Sequence, residues 1–163
     1  MKFTESYRSL TRIPMPVLKK IDAKDFVEVL YKFFEPVLLE KGIQWQVNFL
    51  FHQIKFDADP ILLEQVFINI IKNSIEALEN CASPEINIIV EKTNVGKVSF
   101  QLIDNGKGIS REELDKIFVP FYTTKANGSG IGLSLSQQII RLHGGNIYLE
   151  SRPDKGTKAT IVI

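Results

Sequence analysis

The chain predicts an α+β fold, a two-layer α/β sandwich in which helices cover one face of a mixed β-sheet. Three observations point to it. After an opening helix the segments run strand, helix, two strands, a long glycine-punctuated loop, helix, two strands. The β-rich runs come in pairs, "INIIVEK" with "KVSFQLID" and "NIYLESR" with "TKATIVI". With 163 residues, 44 % of them apolar and 24 % charged, there is enough chain for one domain with a substantial core.

Residues 1–21 read as a lead-in. "FTESYRSL" resembles the last turns of a helix, and "RIPMP" breaks it because Pro14 and Pro16 cannot continue one. Asp22 caps the next segment, where Phe26, Val27, Leu30, Phe33, Phe34 and Leu38 recur at helical spacing until Lys41-Gly42 ends it. "IQWQVNFLF" alternates as a strand, and His52, followed by Gln53-Ile54, is read as lying inside an apparent strand. Asp59-Pro60 starts a helix, a capping residue followed by proline at the first helical position, and the helix runs to about Asn80. Two strands follow, joined by the turn-like "TNVG". Residues 105–130 are irregular, with one short helix capped by Ser110 and carrying Glu113 three positions on. A helix from about Gly130 to His143 is stopped by Gly144-Gly145, and two strands close the chain.

Several function classes are disfavoured. A net charge of +1 gives no non-specific grip on nucleic acid or anionic lipid. The single cysteine, Cys81, excludes an internal disulfide and a cysteine-based zinc site. No apolar run is long enough to span a membrane, and "MKFTESYRSL" lacks a signal-peptide core. The expectation is a cytoplasmic domain, or a cytoplasmic piece of something larger, with no membrane contact of its own.

In "ILLEQVFINIIKNSIEALEN", Leu63, Val66, Phe67, Ile70, Ile71, Ile75 and Leu78 form one apolar face. Gln65, Asn69, Asn73 and Glu76 fall on a separate stripe, because spacings of three and four stack side chains. Asparagine is a poor helix former, yet its carbonyl suits Mg²⁺ and its amide donates to phosphate. The stripe is either a solvated face or such a site. "LIDNGKGI" ends a strand in Asp104, a carboxylate at the core border that needs donors, and a purine amine is one. Gly106 and Gly108 let the backbone turn sharply beneath a flat ligand, though DNG equally favours a plain Asx turn. In "KIFVPFYTTKANGSGIGL", Phe118, Pro120 and Phe121 would let a mobile lid pack down. Lys125 there is either a solvated charge or a contact for a terminal phosphate. The glycines that follow stand at a helix start, whose unpaired N–H groups attract anions.

These residues, in this order, resemble the catalytic ATP-binding domain of bacterial sensor histidine kinases, in the superfamily shared with DNA gyrase, Hsp90 and MutL. "EQVFINIIKNSIEAL" resembles the N box, "DNGKGI" the first glycine box, "FVPFYTTK" the F box and "GSGIGL" the second glycine box. "HGGNIYLESRPDKGTKATIVI" is similar to the closing strands, so the match covers about residues 22–163. The resemblance implies a Bergerat ATP-binding fold with an ATP lid. It implies ATP and Mg²⁺ as ligands, with Asn73 coordinating the metal and Asn69 helping to bind metal or phosphate. Asp104 would read the adenine amine, Gly108 close on the ring and Thr157 support adenine through water. Gly128, Gly130 and Gly132 would border the phosphates, and Lys125 would reach them from the lid. Gly106, Ile109, Phe121, Thr124, Ser129, Ile131 and Leu133 complete the implied ATP-binding set, with Asn69, Asn73 and Lys125 as its catalytic members.

Where the gyrase branch usually carries a water-activating glutamate, this chain has Asn69, whose amide is no general base near neutral pH. Glu76, in "NSIEAL", stands where many kinases have lysine or arginine and matches the nitrogen-regulator-like branch. There Lys125 would supply the missing cation. Neither His52 nor His143 fits the acceptor-histidine pattern, and "ESYRSLTRIPMP" resembles the exit from the dimerisation helices. The implied partners are therefore a dimerisation and phosphoacceptor domain and a response-regulator receiver domain. The competing readings are a hydrolase of the same superfamily, a nucleotide-binding docking module and a serine kinase of the anti-sigma-factor type.

Overall fold

The computed structural model describes residues 13–125 and 128–163; the "FTESYRSL" segment and Ala126-Asn127 of the glycine-rich stretch lie outside them. The elements are β1 (Lys19–Asp22), α1 (Ala23–Glu40), β2 (Gln44–Phe49), β3 (Lys55–Ala58), α2 (Pro60–Ala77), β4 (Glu85–Lys92), β5 (Val98–Asp104), α3 (Arg111–Leu114), α4 (Gly132–Leu142), β6 (Asn146–Ser151) and β7 (Thr157–Val162). Five strands form one sheet in the order β2-β4-β5-β7-β6. β2 lies parallel to β4 and the remaining neighbours are antiparallel, so the sheet is mixed as expected.

Alternation decides which face is covered. Ile86, Ile88 and Val90 of β4, Phe100 and Leu102 of β5, and Ala159 and Ile161 of β7 share one core with the apolar faces of α1 and α2. The intervening Asn87, Gln101 and Thr160 are only half-buried. Edge-on aromatic contacts tie the layers together: Phe26 of α1 to Phe67 of α2 (5.0 Å), Phe67 to Phe100 (5.1 Å) and Phe56 of β3 to Phe100 (5.5 Å).

Three differences from the sequence reading stand out. β1 and β3 pair antiparallel in a separate two-stranded sheet, so Lys19–Ile21 belong to a strand rather than a lead-in. β2 stops at Phe49 and His52 sits in an exposed bend beyond it. α2 ends at Ala77, a few residues before Asn80, whose backbone is left-handed (φ 96°).

Asp59 anchors the start of α2. Its Oδ1 accepts from the N–H groups of Ile61 (3.0 Å) and Leu62 (3.1 Å), and its Oδ2 from that of Val17 (2.9 Å). Its own N–H donates to Nε2 of His143 at the end of α4 (3.0 Å). These donors, Val17 first, hold the Asp59 carboxyl below its ordinary value. The depressed value means that the ionised cap stabilises at neutral pH and that this contribution fades as pH falls through the carboxylate range. Asp59→Ala is expected to cost about 1–2 kcal/mol in urea unfolding at neutral pH. The gap to wild type should narrow in acid, and a gap indifferent to pH would refute the assignment.

Candidate functional site

α2 turns its polar stripe toward a cavity of about 670 Å³, a volume suited to a small organic ligand. The walls come from α2, the ends of β5 and β7, the Lys107–Ile109 turn, Glu113 of α3, Tyr122–Lys125, Gly128–Gly130 and the start of α4 at Gly132 and Leu133. Ile70, Leu102, Leu149 and Ala159 supply apolar surface beside the carboxylate of Asp104.

Asp104 closes β5 with 3 % of its surface exposed. Oδ1 accepts from the N–H groups of Gly106 (3.0 Å) and Thr157 (3.3 Å), and Oδ2 from the Ser74 hydroxyl (2.9 Å). Burial pushes this carboxyl up, and the three donors only partly offset the effect. Three bonds leave a carboxylate with acceptor capacity for one more donor. Gly108 turns the chain beside it at φ 68°, and a side chain there would run into the carbonyl of Arg152.

The opposite end is built from α4. Ile131 caps this helix without a side-chain bond, so its first turn presents unpaired N–H groups beside the lining residues Gly132 and Leu133. A Cβ on Gly132 would collide with Asn69 Oδ1, so a side chain there would push the Asn69 amide out of its present position. Asn69 Nδ2 in turn donates to Ser136 Oγ (3.0 Å). Along the stripe, Lys125 Nζ donates to Asn73 Oδ1 (2.6 Å) and is ion-paired with Glu76.

Asn69 and Asn73, Gly108 and Ile109, Thr124 and Lys125, and Thr157 all line this one cavity. Gly128, Ser129, Gly130, Gly132 and Leu133 line it too. Gly106, Phe121 and Ile131 do not. Gly106 packs against the carbonyl of Ala77, which a Cβ would meet at 2.5 Å, and gives its N–H to Asp104. Phe121 donates its backbone N–H to Gly130 (2.8 Å), bracing the loop from outside. Ile131 is 5 % exposed and turns into the interior, its carbonyl accepting from Ser134 Oγ. Of the apolar lid residues, Phe118 packs on the core, whereas Pro120 and Phe121 are exposed.

Sequence reasoning missed Ser74, Lys107, Glu79 and Ser151. Ser74 had a signal, a small hydroxyl at the seam between the apolar face and the polar stripe. Ser151 Oγ accepts from the Ile109 N–H (2.8 Å) and lies 2.9 Å from Thr157 Oγ1, which locks the turn to β7. His143 is occupied internally: with Nε2 accepting from Asp59, Nδ1 carries the proton toward the Ile139 carbonyl (2.7 Å).

The donor set suits a hard divalent cation. Amide and carboxylate oxygens of Asn73 and Glu76 already converge on a positive group, the Lys125 ammonium. Among the described residues, no cluster of three His, Cys, Asp or Glu side chains offers a closed metal cage. Substrate oxygens would have to complete such a coordination shell.

Residues 58–163 match the family described as histidine kinase-, DNA gyrase B-, and HSP90-like ATPase. The chain belongs to this family. Sensor histidine kinase ZraS of Klebsiella oxytoca is 38 % identical over 109 residues, which cover 67 % of this chain and 23 % of ZraS. Sporulation kinase D of Bacillus subtilis is 31 % identical over 156 residues, covering 91 % and 29 %. The chain thus spans about a quarter of the length of these curated relatives. The nucleotide-free catalytic domain of histidine kinase ThkA superposes with a TM-score of 0.80 at 29 % identity, covering 90 % of this chain and 96 % of that one. ThkA in complex with response regulator protein TrrA gives 0.83 at 26 % identity, covering 99 % and 46 %. The sandwich expected from sequence matches the architecture of this histidine kinase catalytic domain.

Asp104→Asn tests the buried carboxylate. Its folded value lies above that of the unfolded chain, so ionised Asp104 subtracts stability at neutral pH and the penalty disappears in acid. Asparagine keeps an acceptor for Gly106 and Thr157 and offers Nδ2 to the Ser74 oxygen. Thermal melts of the ligand-free variant should show a midpoint equal to or above wild type at neutral pH, with any gain shrinking in mild acid. A clear drop would show that the carboxylate is needed for folding rather than for a ligand.

Proposed function

We propose that residues 22–163 act as the catalytic ATP-binding domain of a cytoplasmic sensor-kinase module. It would bind Mg²⁺·ATP and give the γ-phosphoryl group to a histidine on a separate dimerisation and phosphoacceptor domain. The observation that carries this reading is the polarity of the cavity. A buried acceptor, Asp104, lies at one end beside apolar surface, and the uncapped start of α4 with Lys125 lies at the other. An adenine amine matches the first and a polyphosphate the second.

Asp104 Oδ2 accepts from the exocyclic amine, and Ile70 and Leu102 take the ring. Asn69, Gly128, Gly130 and Gly132 border the phosphates, and Lys125 brings positive charge from the lid. Asn73 Oδ1 is the oxygen offered to Mg²⁺, which when bound neutralises phosphate charge and steadies its non-bridging oxygens. An imidazole nitrogen of the acceptor forms the N–P bond while the bond from the γ-phosphorus to the β–γ bridging oxygen breaks. ADP leaves with that oxygen, and the other ring nitrogen of the imidazole gives its proton to solvent water. This domain's share of catalysis is positioning and electrostatic stabilisation. A receiver-domain aspartate would take the phosphoryl group next, a partnership supported by the response-regulator complex of the similar kinase ThkA. Asn69 weighs against hydrolysis, because its amide is engaged with Ser136 and accepts no proton from water. No described helix is long and apolar enough to cross a membrane.

The test is calorimetric titration with ADP and a non-hydrolysable ATP analogue, with and without Mg²⁺, followed by γ-labelled ATP plus an acceptor domain. Binding should tighten with Mg²⁺, fall at least about a hundredfold in Asp104→Asn, where the amine meets an amide donor, and lose its metal dependence in Asn73→Ala. Label should appear as acid-labile phosphohistidine on the acceptor. Sustained phosphate release by the chain alone, with no label transferred, would favour the hydrolase. Folded protein that binds no nucleotide would favour the docking module.

A further inference from the structure

Glu76 has no task in the chemistry above, yet it lies one turn beyond Asn73 on the same stripe of α2. Its carboxylate is ion-paired with the Lys125 ammonium, which also donates to Asn73 Oδ1 at 2.6 Å. Two oxygens on successive turns of one helix therefore hold one cation, and that cation is carried by the loop over the cavity. The pair is exposed, at 47 % for the lysine side chain and 56 % for the glutamate. Exposed pairs contribute little to stability, so this contact is easily exchanged.

We propose that Glu76 is a positioning residue for Lys125. In this proposal Asn73 Oδ1 and the Glu76 carboxylate form a single cation seat, held by the Lys125 ammonium before nucleotide arrives and by the divalent cation afterwards. The inference rests on the nucleotide reading above and deepens it. An amide oxygen and a carboxylate are hard donors that serve either cation. Ammonium and metal cannot share the seat, because like charges that close repel strongly. The divalent ion carries twice the charge and arrives with phosphate oxygens of its own, so it takes the seat. Lys125 is then released beside the uncapped start of α4, where the phosphate charge has just been delivered. Glu76 thus keeps the lid lysine over the empty cavity and gives it up when the metal comes.

The test uses the full chain as wild type, Glu76→Gln, Lys125→Met and the double variant. Hydrogen exchange of the ligand-free protein reports on the loop at residues 116–125, and Mg²⁺ titration at saturating ADP reports on the seat. Each single variant should speed loop exchange, and the double should be no faster than either single because both remove one contact. Glu76→Gln should weaken Mg²⁺ binding about tenfold, with partial rescue by Glu76→Asp. Lys125→Met should tighten it by removing the competitor, an opposite sign that a merely structural role would not produce. Loop exchange unchanged in Glu76→Gln, or both variants shifting Mg²⁺ affinity the same way, would overturn the inference while ADP binding stands. Wild-type protein that binds no ADP would overturn the nucleotide reading and this exchange with it.

Discussion

A carboxylate buried among uncharged donors is the constraint around which the cavity is arranged. Asp104 is served by the Gly106 N–H, the Ser74 hydroxyl and the Thr157 N–H, three groups from a turn, a helix and a strand far apart in sequence. Each bond fixes something larger. The Ser74 bond sets how far α2 is rotated about its axis, and with it which way Asn69, Asn73 and Glu76 point. The Thr157 bond accompanies the Asp104↔Thr157 register that aligns β5 with β7. The arrangement is poor for stability, since burial outweighs the donors and raises the carboxyl. A side chain kept at such a position against stability is expected where a ligand supplies the missing donor.

The two helices that wall the cavity are clamped at both ends. Asn69 meets Gly132 and Ser136 at the start of α4, while the Asp59 N–H meets His143 at its end. The helices are therefore antiparallel, and neither can slide along the other without breaking a bond of defined geometry. The second clamp explains the state of His143. Both ring nitrogens are committed within the fold, one as donor and one as acceptor, so the imidazole is part of the frame. Asp59 extends that frame to Val17, where the chain enters.

What was legible in the sequence is what local interactions decide. Ser110 and Glu113 form the reciprocal capping box that their spacing announced, and Asp59-Pro60 opens α2 as read. Helical periodicity picked out Leu63, Val66, Phe67 and Ile71, all fully buried. β1 and β3 were not legible. "KKID" and "KFDA" are short and rich in charge, and each becomes a strand only because Lys19 pairs with Ala58, far along the chain. The site was legible by segment rather than by side chain. A motif marks a stretch of backbone, and backbone direction then sends Ile131 inward while Gly130 and Gly132 face the cavity. Ser74 needed knowledge of where β5 ends in space. Lys125 was ambiguous because a lone lysine is ordinarily solvated, and only its approach to Asn73 and Glu76 singles it out.

The cavity's polarity also bears on the fate of a bound triphosphate. Ser74, which serves Asp104, and Asn69, which meets Gly132, are five residues apart on α2. That is about 7.5 Å along the helix axis, and it separates the end that accepts a proton donor from the end that attracts an anion. A ligand with an amine-bearing ring and an anionic tail fits in one orientation only. On the proposed reading, its terminal phosphate then lies under the loop that carries Lys125. The side chains near that end are poor water activators. Asn69 is an amide engaged by Ser136, and the Glu76 carboxylate is engaged by Lys125 in the empty cavity and, on the proposal above, by the divalent cation once nucleotide is bound. With Asn69 and Glu76 both engaged, the proposed reading sends the phosphoryl group to a nucleophile from another domain rather than to water.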